Sequence, residues 1–158
     1  MALTIERATP RDVPVLLHFI RKLAEYEKKL DQVVSTEQDL HDALFGARPV
    51  AETVLAYVDG EAVGFALYFE TYSTFRGRRG IFLEDLYVEP SHRGAGIGKR
   101  LLAAVAQAAR ERDSWMQWLV LDWNEPAIEF YRRLGAVRVE EWDSYRLEGE
   151  ALARVAGF

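Results

Sequence analysis

Residues 93 to 98 read Arg-Gly-Ala-Gly-Ile-Gly. They follow an apolar run, Ile81 to Val88, closed by Glu89-Pro90, and they lead into a strongly helical segment, Ile97 to Arg112. A strand, a glycine-rich turn and a helix start in that order commit the chain to mixed strands and helices. The same order outlines an anion site: glycines let the backbone come close, and free N–H groups converge at the positive end of the helix dipole. The stretch is therefore expected to hold a phosphorylated cofactor. Taken alone, the motif serves about as well as a plain strand-to-helix connection.

The spacing separates the known phosphate loops. A Walker loop ends in Gly-Lys-Ser/Thr, and Gly98-Lys99-Arg100 lacks the magnesium-binding hydroxyl. A dinucleotide loop needs Gly-x-Gly-x-x-Gly early in a βαβ unit with an acid about twenty residues on. Here the glycines are Gly94, Gly96 and Gly98, the loop lies past mid-chain, and Asp113 falls in a polar turn. What remains is Arg-x-x-Gly-x-Gly, carried by Arg93, Gly96 and Gly98.

Around this loop the periodicity predicts the order β-α-α-β-β-β-α-β-α-β-β, a mixed α/β (α+β) sheet in a single domain, 1–158. Leu3 to Ala8 alternates as a first strand, and Thr9-Pro10 caps a helix carrying Val13, Leu16, Leu17, Ile20 and Leu23. Ser35 with Gln38 is expected to box a second helix. Thr53 to Val58, Asp59-Gly60 and Glu61 to Phe69 predict a hairpin, and Thr71 to Gly80 a polar loop. Trp118 to Asp122 reads as a buried strand, Asn124 as the cap of a short helix ended by Gly135, and Ala136–Val139 and Tyr145–Leu147 as closing strands.

Composition narrows the function classes. The chain has no cysteine, hence no disulfide framework and no thiol nucleophile, and its three histidines lack metal-ligand spacing. No apolar run reaches the roughly 18 residues of a membrane span, and the first residues lack the order of a secretion signal, so a cytoplasmic protein without a membrane partner is expected. The net charge of −5 disfavours nucleic acid and suits a cationic small molecule.

Four separated blocks carry a family resemblance: Ile20-Arg-Lys-Leu-Ala-Glu-Tyr-Glu27, Phe82-Leu-Glu-Asp-Leu-Tyr-Val88, Arg93-Gly-Ala-Gly-Ile-Gly98 and Leu121-Asp-Trp-Asn-Glu-Pro-Ala-Ile-Glu-Phe-Tyr131. In these blocks, and from about Ile5 to Leu147, the chain resembles the GNAT superfamily. Within it the likeness is to the diamine (spermidine/spermine) N1-acetyltransferases, most closely their thialysine N-epsilon branch. The resemblance implies the GNAT fold, with a mostly antiparallel sheet flanked by helices. It also implies acetyl-CoA as cofactor, a small-molecule amine as substrate, and a homodimer. It implies that Leu86, Tyr87 and Val88 offer backbone to the pantetheine arm, and that Arg93, Gly94, Ala95, Gly96, Ile97, Gly98 and Lys99 hold the pyrophosphate. Asn124, Glu125, Pro126, Ala127, Tyr131 and Arg133 would line the thioester end. Tyr26, Glu27, Glu84, Gln117, Trp118, Leu119 and Asp143 would meet the amine.

The chemistry gives two of these residues roles. An alkyl ammonium must lose a proton before it attacks a thioester, and the departing thiolate must gain one. Glu84 and Asp85 are adjacent in a strand and are expected to face opposite sides, so one can reach the cleft. The resemblance assigns it to Glu84, as amine anchor and proton acceptor; the alternative is two structural ion pairs. Tyr131, with an ordinary pKa near 10, is the candidate acid. By spacing alone it packs with Ile128 and Leu134, and the matching block argues otherwise. Residues 72 to 75 read Tyr-Ser-Thr-Phe, where the polyamine enzymes carry Tyr-Asp-Pro-Trp and the thialysine group Ser-Thr. With Lys28 and Lys29 beside the first helix end, this favours a short amine bearing its own carboxylate, with Arg76, Arg78 or Arg79 as its partner. A non-catalytic acyl-CoA-binding module and a protein N-acetyltransferase are the other readings left open.

Overall fold

A computed structural model describes residues 1–158. The chain divides into two compact units, Met1–Leu121 and Asp122–Phe158. The first unit holds β1 (Leu3–Arg7), α1 (Val13–Tyr26), α2 (Glu37–Phe45), β2 (Glu52–Val58), β3 (Glu61–Ser73), β4 (Arg78–Val88), α3 (Ile97–Glu111) and β5 (Met116–Trp118). The second holds α4 (Glu125–Arg133) and α5 (Gly149–Ala156). The five strands form one sheet in sequence order. Neighbours run antiparallel up to β4, and β5 joins β4 in parallel across the α3 crossover.

Strand alternation divides the core between the two sheet faces. Leu55, Phe65, Leu67 and Tyr87 pack with Val13, Leu16 and Phe19 of α1 and with Leu40 and Leu44 of α2. The Phe19 and Phe65 rings stack at 6.0 Å. On the other face lies α3, whose Ile97, Leu101, Val105 and Ala109 recur at helical spacing and are buried. Gly64, the neighbour of Phe65, faces this helix: a Cβ there would stand 3.3 Å from Leu101 Cδ1 and 2.5 Å from the Tyr87 carbonyl oxygen. Only glycine lets β3 and β4 approach at that point.

Two polar clusters fix the frame. Thr9 caps a short 3-10 turn, Pro10–Asp12, that feeds α1. The buried Asp12 carboxylate accepts from Thr9 N at 2.7 Å, Thr9 Oγ1 at 3.0 Å and Tyr57 OH at 2.6 Å. Burial pushes this carboxyl up, but the bonds from Tyr57 and Thr9 outweigh it and hold it below its ordinary value. At the other end of the sheet, Arg112, just past α3, grips Glu52 of β2 with two bonds of 2.8 Å and Glu70 of β3 with one of 2.9 Å.

Several expected elements differ. The cap of α2 is Thr36 with Asp39, not Ser35 with Gln38; the Thr36 hydroxyl accepts from Asp39 N at 3.2 Å while the Asp39 carboxylate accepts from Thr36 N at 2.8 Å. The polar stretch 71–80 is mostly strand, because β3 and β4 stay paired to Ser73 and Arg78 around a short turn. Of the expected strand Trp118–Asp122 only Trp118 is extended, and β5 begins earlier, at Met116. Ala136–Val139 and Tyr145–Leu147 are not strands; Val137 and Tyr145 are exposed and pair with no edge. Helix α5 was not foreseen.

Candidate active site

The central feature is a slip in β4. Leu67 pairs with Asp85 but Tyr68 pairs with Leu83, so Glu84 is an extra residue, a β-bulge. Two consequences follow. Leu67 belongs to the α1 face, so Asp85 lies on that face too. Leu83 shares the α3 face with Tyr68, so the alternation loses a step at Glu84, whose charge acts both on Asp85 and on Glu27 at the end of α1 and so belongs with Asp85. This corrects the expectation that the two acids face opposite sides: the bulge cancels one step of the alternation.

The second consequence is a free edge. β4 and β5 pair only as Ile81 with Met116, Phe82 with Gln117 and Leu83 with Trp118. From Glu84 to Val88 the strand runs on without β5, so the backbone of Leu86, Tyr87 and Val88 is left with a neighbour, β3, on one side only. The Tyr87 ring is buried in the α1-facing core and its backbone bonds back to Phe65 of β3, so Leu86 and Val88 are the residues whose backbone groups face that edge.

The edge leads directly into the glycine loop. Gly94 and Gly96 have φ of +83° and +79°, which side chains resist, and Gly96 is the cap residue of α3. It caps without a side chain, so the first-turn N–H groups of Ile97, Gly98 and Lys99 point outward unbound by any cap. A Cβ built on Gly94 or Gly96 would meet nothing within 4 Å. The loop is thus an exposed cradle of backbone donors at a helix start, with Ala95 exposed at its crest and Lys99 adding a cation. A pyrophosphate suits this donor set.

Arg93 fastens the loop to its surroundings. Its Nε donates to the Val88 carbonyl at 2.8 Å, and its guanidinium lies 5.5 Å from the Tyr26 ring and 5.7 Å from the Tyr87 ring. Tyr26 ends α1, so this contact brings the helix end, with Glu27, beside β4. The carboxyl groups brought together there act on one another. Burial, then Glu84 and Glu27, push the Asp85 carboxyl up to about 7. Burial and Glu84 likewise raise Glu27, opposed by Lys29. The sequence reading did not foresee this triad of Glu27, Glu84 and Asp85. Nor did it foresee that Arg93 reaches Tyr26.

Other expected residues lie on β5 beside the bulge and at the hairpin turn. Gln117 and Trp118 lie on β5, with Leu119 exposed just beyond. Ser73, whose hydroxyl accepts from Arg76 N at 3.2 Å, sits in the β3–β4 turn. That turn is about 20 Å along the strand from the residue opposite the bulge. Arg78 pairs with Asp113 at 2.8 Å, Arg79 with Glu70 at 3.5 Å, and Arg76 lies over the Trp115 ring. These arginines therefore already have partners within their own unit.

In the second unit Asn124 is buried and caps α4, accepting from Ala127 N at 3.4 Å, with Glu125 and Pro126 in the first turn. Tyr131 is half-buried and packs against Phe130, with ring centroids 5.3 Å apart. Arg133 pairs with Glu129 at 3.1 Å, and Gly135 closes the helix at φ +89°. Asp143 is exposed in the irregular stretch between α4 and α5.

Comparison with known proteins agrees with this architecture. Residues 18–136 match the model of the Acetyltransferase (GNAT) family. Thialysine N-epsilon-acetyltransferase of Sus scrofa is 41% identical, the alignment covering 97% of this chain and 96% of that one. L-ornithine N5-acetyltransferase NATA1 of Arabidopsis thaliana is 29% identical over 96% of this chain and 86% of its own. Among solved structures, the integron cassette protein VCH_CASS6 from the mobile metagenome of V. cholerae superposes with a TM-score of 0.81 at 27% identity, covering 99% of this chain and 98% of that one. With a sheet whose fourth strand breaks from the fifth at a bulge, and a glycine cradle at the helix that follows, the chain belongs to the GNAT family of acetyltransferases.

Proposed function

We propose that this protein transfers the acetyl group of acetyl-CoA directly to the primary amine of a small molecule, a thialysine-like amino acid or a diamine. The observation that carries the reading is the continuity of three features along one stretch of chain. Acids at the Glu84 bulge, an open strand edge over Leu86–Val88 and a backbone anion cradle over Gly94–Lys99 follow one another. An extended amide-bearing arm ending in a pyrophosphate would add to such an edge as a strand does and end at the helix start.

Acetyl-CoA supplies the activated acyl group. The protein's part is to bind, align and move protons. An alkyl ammonium arrives charged, its pKa lying near 10.4. Glu84, exposed at the bulge, anchors it and takes its proton through water, and Glu27 adds attraction. We assign the proton that the departing sulfur needs to Tyr131, on the strength of its family block and its phenol chemistry. The relatives named for thialysine and ornithine both act on amines of amino acids, which supports a short acceptor over a long polycation. Lys29, acting on Glu27, works in the same direction. A homodimer belongs to this reading.

The test is a mass-spectrometric screen of small amines with acetyl-CoA, followed by kinetics on thialysine and spermine. Thialysine should show at least about tenfold higher kcat/KM, a difference of about 1.4 kcal/mol. Tight CoA binding with no acetylated amine would replace the enzyme with a non-catalytic acyl-CoA-binding module. A higher efficiency for spermine would refute the short-acceptor argument.

A further inference from the structure

The bulge does more than expose one acid. It sets two adjacent carboxylates, Glu84 and Asp85, on one sheet face, and the end of α1 brings Glu27 against the same place. The residue paired with Asp85 on β3 is Leu67, and β5 ends its pairing just before the bulge, with Gln117 on Phe82 and Trp118 on Leu83; all three are uncharged. The groups that push the Asp85 carboxyl up beside burial are Glu84 and Glu27, both of its own sign; the cations Lys28 and Lys29 follow Glu27 at the end of α1, and Lys29 acts on Glu27.

We infer that Asp85 is a specificity-determining residue for cationic amines: it holds a proton while the amine site is empty and releases it to water when an ammonium group enters beside Glu84. The inference rests on the amine acetyltransferase reading above. Three carboxylates crowded into a half-buried place cannot all ionise cheaply, so the most enclosed of them keeps its proton. Burial, Glu84 and Glu27 together bring that carboxyl to about 7, so it is partly protonated at neutral pH. An ammonium within about 4–6 Å reverses the local field and lowers a carboxyl's pKa by roughly 1–3 units. The proton then leaves, and a second negative charge appears only when a cation is there to meet it. An uncharged analogue of the same shape would find a neutral acid and gain nothing. No covalent bond changes; the O–H proton of Asp85 passes to solvent.

The consequence is a proton-linked affinity in a range where the amine itself does not titrate. If the bound carboxyl stays ionised, amine affinity rises about tenfold from pH 6 to pH 8, with about half a proton released per amine bound at pH 7. The experiment is calorimetric titration of the protein with 1,4-diaminobutane in the presence of CoA, which allows no turnover. It is run at pH 6, 7 and 8 in two buffers of different ionisation enthalpy, and acetyl transfer from acetyl-CoA is measured in parallel. The expected result is the tenfold rise and the proton release, both absent in Asp85→Asn, which keeps its CoA affinity and thermal midpoint. If that variant does not fold, the wild-type Asp85 carboxyl carbon resonance decides: it should titrate near 7 and move down by at least one unit with diamine. Transfer with a pH-independent diamine affinity overturns this inference alone. So does proton release that persists in Asp85→Asn, or a diamine that fails to bind an enzyme acetylating thialysine. Absence of transfer to any amine overturns the enzyme reading itself.

Discussion

Replacing Gly96 by alanine separates the strain of the loop from its function. Gly96 sits at φ +79°, where an L side chain costs about 1–2 kcal/mol. The added Cβ meets no protein atom within 4 Å, so strain is the only stability term. For a chain of this length that amounts to a loss of roughly 2–8 °C in Tm. Gly60, in the hairpin turn on the far side of β3, supplies the control. Its φ is +86°, and a Cβ there also meets nothing within 4 Å. Gly60→Ala should therefore lower Tm by a similar amount. Cofactor affinity should then divide the two. At Gly96 the methyl group stands in the space that an anion must occupy to reach the N–H groups of the helix start. Losing one charged hydrogen bond costs about 1.5–3 kcal/mol, a rise of roughly ten- to hundredfold in the dissociation constant for CoA. Calorimetry with CoA and thermal melts on the same three proteins decide it. Equal CoA affinity in Gly96→Ala, Gly60→Ala and wild type would refute the phosphate cradle.

Tyr131→Phe should lower kcat at least tenfold and leave CoA affinity within about twofold, because only a proton donor is removed; wild-type turnover would reduce Tyr131 to packing against Phe130. Tyr57→Phe removes the 2.6 Å bond to the buried Asp12 carboxylate and should destabilise by about 1.5–3 kcal/mol at pH 7. Asp12 is held below its ordinary value, so its contribution is present above the unfolded pKa of about 3.9 and is lost as pH falls through the folded one. Urea denaturation should show the gap between Tyr57→Phe and wild type narrowing from pH 7 to pH 3, and an equal gap at both would exclude Asp12 as the partner.

What the sequence made legible was what local chemistry decides. Asp59-Gly60, both at positive φ, turned the hairpin where expected, and the glycine loop, α3 and the Asn124 cap lie where their residues put them. Strands that need a distant edge were harder. Ala136–Val139 and Tyr145–Leu147 alternate, but alternation predicts a face and not a partner. The Thr71–Gly80 stretch is polar because it is exposed, yet it is held by pairing across the hairpin. Residues 149–156 contain three alanines and a leucine, so α5 rests on helix propensity and not on a long periodic apolar face. In the site, Glu84, Glu27 and the loop were legible as residue types. The bulge was hidden because β4 buries residues on both faces: Ile81 and Leu83 lie against α3 and Tyr87 against α1, all at odd numbers. A strand apolar on both sides has no period-2 signal, so a slip of one residue leaves no trace in the pattern.

The grip of Arg112 on Glu52 and Glu70 bears on motion as well as on stability. Helix α3 runs 15 residues, about 22 Å, from the glycine cradle to this clamp. One end is fixed to two strands by three short charged bonds; the other is capped by a glycine that offers no side chain. The helix is thus mounted like a lever with its pivot at Arg112. A tilt of only about 3° there sweeps the N–H groups by about 1 Å, the difference between a good hydrogen bond to phosphate and none. Loosening the pivot, far from any ligand, would therefore be felt first as blurred aim at the other end.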